Sequence, residues 1–534
     1  MFFLGKIYLS FLIYSFTVLL TAGICYHGSA TLLNVLSITT SLVAPAAEVT
    51  NTSMDLMWHA PDRTEINNLS TVINGTGIYN FVFNSSVNPA GTTYGDYNWC
   101  NMPHVRVQEY VKAPSDFELA YVEVIHRHHK RTPYAANTFP IESYPWYCND
   151  SALYYYGAPA PYLPPENSSA PTFWNVFTDT ANPFRAGGFS GDCEFPQITR
   201  GGLDDSWQHG KDLYGVYHDL LHLIPDDDAR SEAVSYRVTN NVITSQVAGM
   251  VINGMLGTTM SYPVRIQPPT IDSLEPAYNC PSASTLFNSY GVNSNNPAWI
   301  THLNDAAALY NQLDAVSGIA TNNTGWHMSF DHYFDSLSAR LCHDKALPCN
   351  VDNATLCITQ DEADAVFRLG EYEYSFIYRD SPQSLNASVA SYGVFVAELA
   401  MHLRAAQAGT SKVVYQHNVA HDGSLSRLLS ILQIDVMVWP GMGSEVVFEL
   451  YKKTMAPSRG GRQGRWSDMN PHSLDYGHMD DSQWFVRVLW SGKVLRSSSP
   501  VLGVADMIPL DRLLAYFDGL VGRLGSAVPA ACGL

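Results

Sequence analysis

The sequence predicts an α/β fold in which helices flank a central mixed sheet, with an inserted, mostly helical cap. Three observations support this prediction. Apolar, β-branched runs have the length of buried strands, helical periodicity separates them, and polar motifs directly follow two of them. With 534 residues, 46% of them hydrophobic, the chain can bury one large core or two packed lobes.

The N-terminal region predicts export. One charged residue, Lys6, precedes an uncharged run over residues 7–24, which is typical of a secretory signal peptide. The run is also long enough to act as an uncleaved membrane anchor. We expect residues 1–24 to be this leader or anchor and residues 25–114 to form an extended, glycosylated segment. The chain is therefore expected to be secreted or held at the cell surface.

Cysteines and glycosylation acceptors point the same way. Without Cys25 at the end of the leader, eight cysteines remain, and an even number in an exported chain predicts disulfide bonds whose pairing the sequence leaves open. Nine Asn-x-Ser/Thr acceptors predict an N-linked glycoprotein. They are Asn51, Asn68, Asn74, Asn84, Asn149, Asn167, Asn322, Asn353 and Asn386.

The charge balance excludes some partners. The chain has 30 Lys and Arg against 49 Asp and Glu, a formal charge of −19. Such an acidic chain is a poor ligand for nucleic acid or for anionic membranes, which basic surfaces capture. The expected partner is a small phosphorylated substrate, and a membrane only if the N-terminal segment is uncleaved. Oligomeric state is unknown at this point.

The first part of the core is predicted over residues 115–270. Residues 117–125 form a strand, and the loop HRHHKRTPY follows at its carboxyl end, where open α/β sheets bind ligands. An irregular excursion over 135–195 comes next. A helix over 202–223, a strand over 233–239 and a helix over 245–256 complete this part.

Residues 271–390 are predicted to form the mainly helical cap, and residues 391–534 the second part of the core. Here a helix over 391–405 leads to a strand over 412–416, the loop HNVAHDG and a helix over 425–432. Two further strands span 445–451 and 484–490, and Ser491-Gly492 predicts a hairpin turn. Glu445 and Glu449 are expected to be solvent-facing or paired, and one of them could line the site.

The first loop has the chemistry of an anion site. Arg127, His128, His129, Lys130 and Arg131 concentrate positive charge within five positions. Two arginines can clamp a phosphoryl group through paired hydrogen bonds. Between them, a neutral His128 can attack phosphorus and form a phosphohistidine.

The second loop supplies the remaining groups. A leaving alkoxide needs a proton, and Asp422 is the candidate general acid. His421 is a candidate donor to the phosphate, which stabilises the transition state. His417 is interpreted as a structural hydrogen-bonding residue.

These motifs resemble those of the histidine acid phosphatases. RHHKRTP at 127–133 resembles the family's RHGxRxP, and His421-Asp422 resembles its HD pair. Segments at 196–202, 209–217, 485–495 and 507–513 follow in the family's order, so the resemblance spans about residues 115–515. It implies an α/β domain with an inserted helical domain, and no metal or organic cofactor.

The resemblance also implies roles for single residues. Arg127 and Arg131 bind phosphate, His128 is phosphorylated, His421 contacts phosphate and Asp422 donates the proton. Two positions depart from the family. His129 replaces a glycine and is a candidate further phosphate contact. Asn241 stands where a third phosphate-binding Arg is expected, with Arg237 as the candidate substitute.

Other interpretations stay open. His126 and His128 alternate along an extended chain and could bind a metal with His417 or His421, although no carboxylate or Cys lies at ligand spacing beside them. A catalytically weakened relative that binds an anion, or serves in surface interactions, is the alternative to an enzyme.

Overall fold

The computed structural model describes the larger part of the chain. The described residues are 54–79, 94–141, 145–151, 153–156, 172–174, 176–177, 179, 181–183, 190–226, 230–259, 262–454 and 483–534. Met54–Leu534 form one compact unit. The predicted leader at residues 1–24 and the acceptors Asn51, Asn84 and Asn167 lie outside the described residues.

Eight strands form a central mixed sheet. Its order is β11-β10-β9-β1-β8-β6-β7, and β12 pairs with β10. β1, β8, β6 and β7 run parallel to one another, and the pairs on the other side of β1 are antiparallel. β2 with β5 and β3 with β4 form two small sheets. The strands are β1 (Phe117–Arg127), β2 (Pro145–Trp146), β3 (Leu153–Tyr156), β4 (Thr172–Trp174), β5 (Ser190–Gly191), β6 (Val234–Val238), β7 (Val264–Arg265), β8 (Tyr415–Ala420), β9 (Glu445–Lys453), β10 (Trp484–Trp490), β11 (Lys493–Val494) and β12 (Ile508–Pro509).

Helices cover both faces of this sheet. α2 and α4 pack on one face and α10, α11 and α12 on the other, each with its own apolar core. The predicted fold class, a mixed α/β sheet flanked by helices, is confirmed. The helices are α1 (Leu69–Asn74), α2 (Arg200–Tyr214), α3 (Arg230–Ala233), α4 (Val242–Leu256), α5 (Pro281–Tyr290), α6 (Pro297–Asp305), α7 (Ala307–Ser317), α8 (Asp331–Leu341), α9 (Gln360–Ser375), α10 (Ser384–Gln407), α11 (Asp422–Ile431), α12 (Leu510–Val521) and α13 (Val528–Ala531). π-helical turns extend α2 over Gly215–Leu220 and α9 over Phe376–Asp380, and 3₁₀ turns span Ala135–Asn137 and Arg523–Gly525.

Most predicted strands lie where the apolar runs place them, but one is shifted. The strand predicted over 412–416 is β8, which begins at Tyr415 because Tyr415 is the first residue that pairs with both β1 and β6. The run gives no local signal for this start, since β8 is buried on both faces. The predicted hairpin is present, with Ser491 and Gly492 at φ of 48° and 76° between β10 and β11.

Helices of residues 297–375 build a third apolar cluster. Phe334 of α8 and Phe367 of α9 pack there with Trp439 and with Trp99 of the N-terminal segment. The N-terminal segment is therefore part of the core in this region. Among the described residues, no helix has the length and apolarity needed to cross a membrane.

All eight cysteines after Cys25 form disulfides, as the even count predicts. The pairs are Cys100–Cys342, Cys148–Cys193, Cys280–Cys532 and Cys349–Cys357. Two of them close loops of 242 and 252 residues, which restrict the unfolded chain more than short loops do. The covalent framework ties both the N-terminal segment and the C-terminus to the body.

Candidate active site

Backbone hydrogen bonds fix the first loop at the carboxyl end of β1. The Arg127 N–H donates to Ser444 O at 2.9 Å, and the His128 N–H donates to Ala420 O at 3.0 Å. The Gly443 N–H donates to His128 O at 3.1 Å. Because these bonds come from both neighbouring strand ends, the His128 backbone has a defined position.

The structure brings the two predicted loops together. Asp422 is the first residue of α11, and its Oδ2 lies 3.1 Å from Arg127 Nη2. The His128 and His421 rings lie 5.3 Å apart. Residues almost three hundred positions apart thus share one site, which we call the anion site: Arg127, His128, Arg131, His421 and Asp422.

Both arginines of the anion site are buried and oriented by protein groups. Arg127 donates through Nη1 to Pro440 O at 2.5 Å, and its guanidinium lies 4.6 Å from the Trp99 ring centroid. Arg131 donates through Nη1 to Asp335 of α8 at 2.9 Å. α8, which lies in the segment predicted as the cap, therefore contacts one of the two arginines directly.

His128 has the protonation state that a nucleophile needs. Its Nδ1 lies 3.0 Å from His129 O, and since a carbonyl only accepts, Nδ1 carries the proton and Nε2 the lone pair. Burial and the charges of Arg127 and Arg131 hold the pKa of this imidazole well below its ordinary value. A neutral ring with a free Nε2 follows.

Asp422 is ionised in this arrangement. Its carboxylate accepts from Trp439 Nε1 and from the Gly423 N–H, both at 2.8 Å. Burial favours the neutral acid, but the Arg127 charge, the Trp439 hydrogen bond and the Arg131 charge outweigh it and lower the pKa of Asp422. Any proton donation by Asp422 therefore requires a change in its surroundings.

His421 is flanked by two groups that sequence reasoning missed. Its Nε2 lies 2.9 Å from Thr239 Oγ1 and 2.7 Å from Glu275 Oε2. The Glu275 and Asp422 side chains are 39% and 23% exposed, whereas His128 is 1% exposed. The anion site therefore opens to solvent on the side of these two carboxylates. Neither Glu275 nor Trp439 belongs to a readable motif, so no sequence signal marks them.

Neither Arg237, the predicted substitute, nor Asn241, which replaces the expected third Arg, joins the anion site. Arg237 forms ion pairs with Glu398 at 2.8 Å and Asp272 at 3.5 Å, so its charge is already matched. Asn241 caps α4 by accepting from the Ile243 N–H. The structure thus corrects the expectation that Arg237 replaces the missing phosphate ligand.

His129 is also turned away from the anion site. Its Nε2 lies 3.1 Å from His209 Nδ1, in a buried group of five histidines on the other side of the loop. We call this group the histidine cluster: His104, His126, His129, His209 and His417. The expected phosphate contact of His129 is wrong, because its ring contacts His126 and His209 instead.

Glu445 and Glu449 are paired and fully buried. Glu445 lies 2.9 Å from His209 Nε2, and Glu449 accepts from Tyr217 Oη at 2.8 Å. Both carboxylates are therefore paired and not solvent-facing. The structure also places a carboxylate against the histidine cluster.

Comparisons with known proteins found similar chains. Counting factor 60 of Dictyostelium discoideum is 26% identical over 347 residues, which are 62% of this chain and 76% of that protein. Klebsiella sp ASR1 phytase is 13% identical, with a TM-score of 0.45 over 77% of this chain and 96% of the phytase. The inositol hexasulfate complex of Bifidobacterium longum multiple inositol polyphosphate phosphatase is 11% identical, with a TM-score of 0.42 over 74% and 92% of the two chains. No protein-family model matches the sequence.

Proposed function

We propose that the chain is a phosphomonoesterase of the histidine acid phosphatase type, with His128 as the nucleophile. One observation carries this proposal: a neutral, buried His128 lies between two arginines and beside the His421-Asp422 pair. Two buried guanidinium groups next to a free imidazole nitrogen suit a phosphoryl group better than any uncharged substrate. The helices of residues 271–390 are proposed to act as the cap that selects the ester.

The proposed reaction has two steps. In the first, His128 Nε2 forms a bond to phosphorus, the P–O ester bond breaks, and protonated Asp422 gives its proton to the leaving oxygen. In the second, water attacks the phosphorus of the phosphohistidine, and Asp422 takes up a proton from this water. The P–N bond then breaks, which releases inorganic phosphate and restores His128.

Substrate binding supplies the change that Asp422 needs. Asp422 Oδ2 forms an ion pair with Arg127 Nη2, the group to which a phosphate oxygen would also bind. A phosphate that replaces Asp422 as the partner of Arg127 removes the contact that lowers the Asp422 pKa and adds a negative charge nearby. Both changes raise this pKa, so the carboxylate gains a proton. We therefore propose that phosphate binding arms the acid, and that turnover is favoured at mildly acidic pH.

An exported, glycosylated protein is proposed as the setting of this enzyme. The acceptor asparagines within the described residues are all exposed. They are Asn68, Asn74, Asn149, Asn322, Asn353 and Asn386. Four disulfides are typical of an oxidising compartment.

A catalytically weakened, anion-binding relative is the second candidate. The observation that favours it is the state of the expected third arginine, because Asn241 is used as a helix cap and Arg237 is neutralised by two carboxylates. One missing charge-assisted contact costs about 1.5–3 kcal/mol, which slows catalysis without abolishing it.

A substrate panel distinguishes the two candidates. Purified secreted protein, His128→Ala and the control His59→Ala are assayed with phytate, sugar phosphates, a phosphopeptide and a lysophosphatidate. His59 pairs with Asp55 in the N-terminal segment, outside the anion site. The proposal expects hydrolysis by the parent and the control, none by His128→Ala, inhibition by vanadate and no effect of brief EDTA treatment. A parent that binds phosphate but hydrolyses no ester would overturn it in favour of the second candidate.

A further inference from the structure

The histidine cluster contains a compact set of nitrogen ligands. One ring nitrogen from each of His126, His129 and His209 lies within 4.8 Å of the others, and none of the three side chains has any exposed surface. His126 is the second-last residue of β1, His129 lies on the first loop and His209 belongs to α2. Three separate elements therefore meet at this point.

Hydrogen bonds leave lone pairs directed into the cluster. His126 Nδ1 lies 2.8 Å from Arg127 O, so Nδ1 is protonated and Nε2 carries the lone pair. Within the described residues, this buried Nε2 has no hydrogen-bond partner. An orphaned buried acceptor is costly, since its hydration is lost without replacement. A metal ion would satisfy it.

His209 is arranged as metal-bound histidines are. Its Nε2 lies 2.9 Å from the buried carboxylate of Glu445, which fixes the proton there and leaves the lone pair on Nδ1. Histidine ligands of metals usually donate their second ring N–H to a carboxylate in this way. That Nδ1 accepts a hydrogen bond from His129 Nε2 at 3.1 Å, so metal binding requires His129 to carry its proton on Nδ1 instead. The 3.1 Å spacing is close to the distance of about 3.3 Å between two nitrogens bound to a tetrahedral zinc ion.

The electrostatics agree with metal binding. Imidazole suits zinc and its first-row neighbours, whereas magnesium and calcium prefer oxygen. The nearby Glu445 carboxylate offsets part of the charge of a cation.

We propose that His126, His129 and His209 bind a divalent transition-metal ion of the zinc class, with Glu445 orienting His209. The ion links β1, the first loop and α2, and through Glu445 also β9, next to the loop that carries His128. Its role is therefore structural. This gives His129, which replaces the expected glycine, a function as a ligand. The inference is independent of the proposed phosphatase activity, because it concerns a separate set of side chains.

Burial determines how the test is done. Fully buried ligands bind the ion during folding and release it only on unfolding, so brief EDTA treatment leaves it in place. Protein without a His-tag is therefore expressed in zinc-supplemented medium and purified without chelator. Metal content is measured by mass spectrometry of the hydrolysed protein, and the coordination shell by X-ray absorption at the zinc edge.

A matched pair of variants assigns the site. His209→Gln removes a ligand, whereas His302→Gln removes an equally buried histidine that pairs with Glu373 at 2.8 Å, away from the cluster. The expected result is about one zinc per chain in the parent and in His302→Gln, and at least a tenfold loss in His209→Gln. The parent's absorption spectrum should show imidazole nitrogens at about 2.0 Å and no sulfur.

Three results would overturn the proposal. They are a parent with less than about a tenth of a metal ion per chain, a coordination shell without three imidazoles, or equal metal loss in both folded variants. If His209→Gln does not fold, the stoichiometry and absorption spectrum of the parent decide alone.

Discussion

Replacing Asp422 by Asn separates proton donation from phosphate binding. Asn has nearly the same shape, and its Oδ1 can still accept from Trp439 Nε1 or the Gly423 N–H, which donate to Asp422 at 2.8 Å. The substitution removes the proton and the negative charge that lies 3.1 Å from Arg127. Folding should therefore be preserved while the acid is lost.

The expected magnitude depends on the leaving group. General acid catalysis contributes about 10²–10⁴-fold, or about 2.7–5.5 kcal/mol of transition-state free energy. An alkyl phosphate, whose alkoxide is a poor leaving group, should lose this whole factor in kcat. p-Nitrophenyl phosphate, whose phenolate leaves without a proton, should slow by less than about tenfold. KM should not rise, because Arg127 no longer has a competing carboxylate.

The assay compares kcat for a series of aryl and alkyl phosphates in the parent and in Asp422→Asn. A plot of log kcat against leaving-group pKa should be much steeper for the variant. As a control, Asp335→Asn disturbs the Asp335–Arg131 contact at 2.9 Å and should slow all esters alike. Equal slowing of both ester classes by Asp422→Asn would remove Asp422 from the acid role.

Three further predictions follow from buried groups. Burial raises the pKa of Asp422, but the Arg127 charge outweighs this effect and lowers it. The acid is therefore lost as pH rises from the acid range, and kcat/KM for alkyl phosphates should fall. This fall should be absent from the pH profile of Asp422→Asn. Burial raises the pKa of Glu371 to about 8 despite its Tyr97 and Trp439 hydrogen bonds, so the folded chain keeps a proton that the unfolded chain loses. Stability should therefore decline between about pH 4.5 and 8, and guanidinium unfolding of Glu371→Gln should show a smaller decline. Gly443 has φ of +72°, and an added Cβ would lie 2.4 Å from the His129 ring. Gly443→Ala should therefore lower the free energy of unfolding, measured by denaturation, by about 1–3 kcal/mol. The control Gly249→Ala, where a Cβ meets open space, should have only a mild effect.

Local sequence was sufficient for the elements that carry their own signal. The apolar run at 117–125 predicts β1 because a strand buried on both faces needs no partner information to be recognised. Both loops were placed at strand ends for the same reason. The even cysteine count predicted complete disulfide pairing, but not which cysteines pair, since spacing does not encode distance in the fold.

Contacts between residues far apart in the chain could not be predicted from the sequence. Glu275 beside His421 and Asp335 beside Arg131 join residues about 150 and 200 positions apart, and no local pattern specifies such pairs. The start of β8 and the pairing of Arg237 with Glu398 depend equally on neighbouring elements. Which polar residues meet is decided by strand order and helix packing.

The sequence by itself determined the strands and helices of a mixed α/β fold and two loops rich in His, Arg and Asp at strand ends, because each of these rests on residues close together in the chain. The even cysteine count determined that disulfides form. Only the tertiary structure decided that His129 faces His209, 80 positions later, instead of the anion site, and that His209 in turn pairs with Glu445. The physical reason is close helix packing. An added Cβ at Gly210 or Gly254 would meet backbone of the facing helix at 2.3 Å or 2.0 Å, and this contact between α2 and α4 helps to set the position of His209 beside the loop.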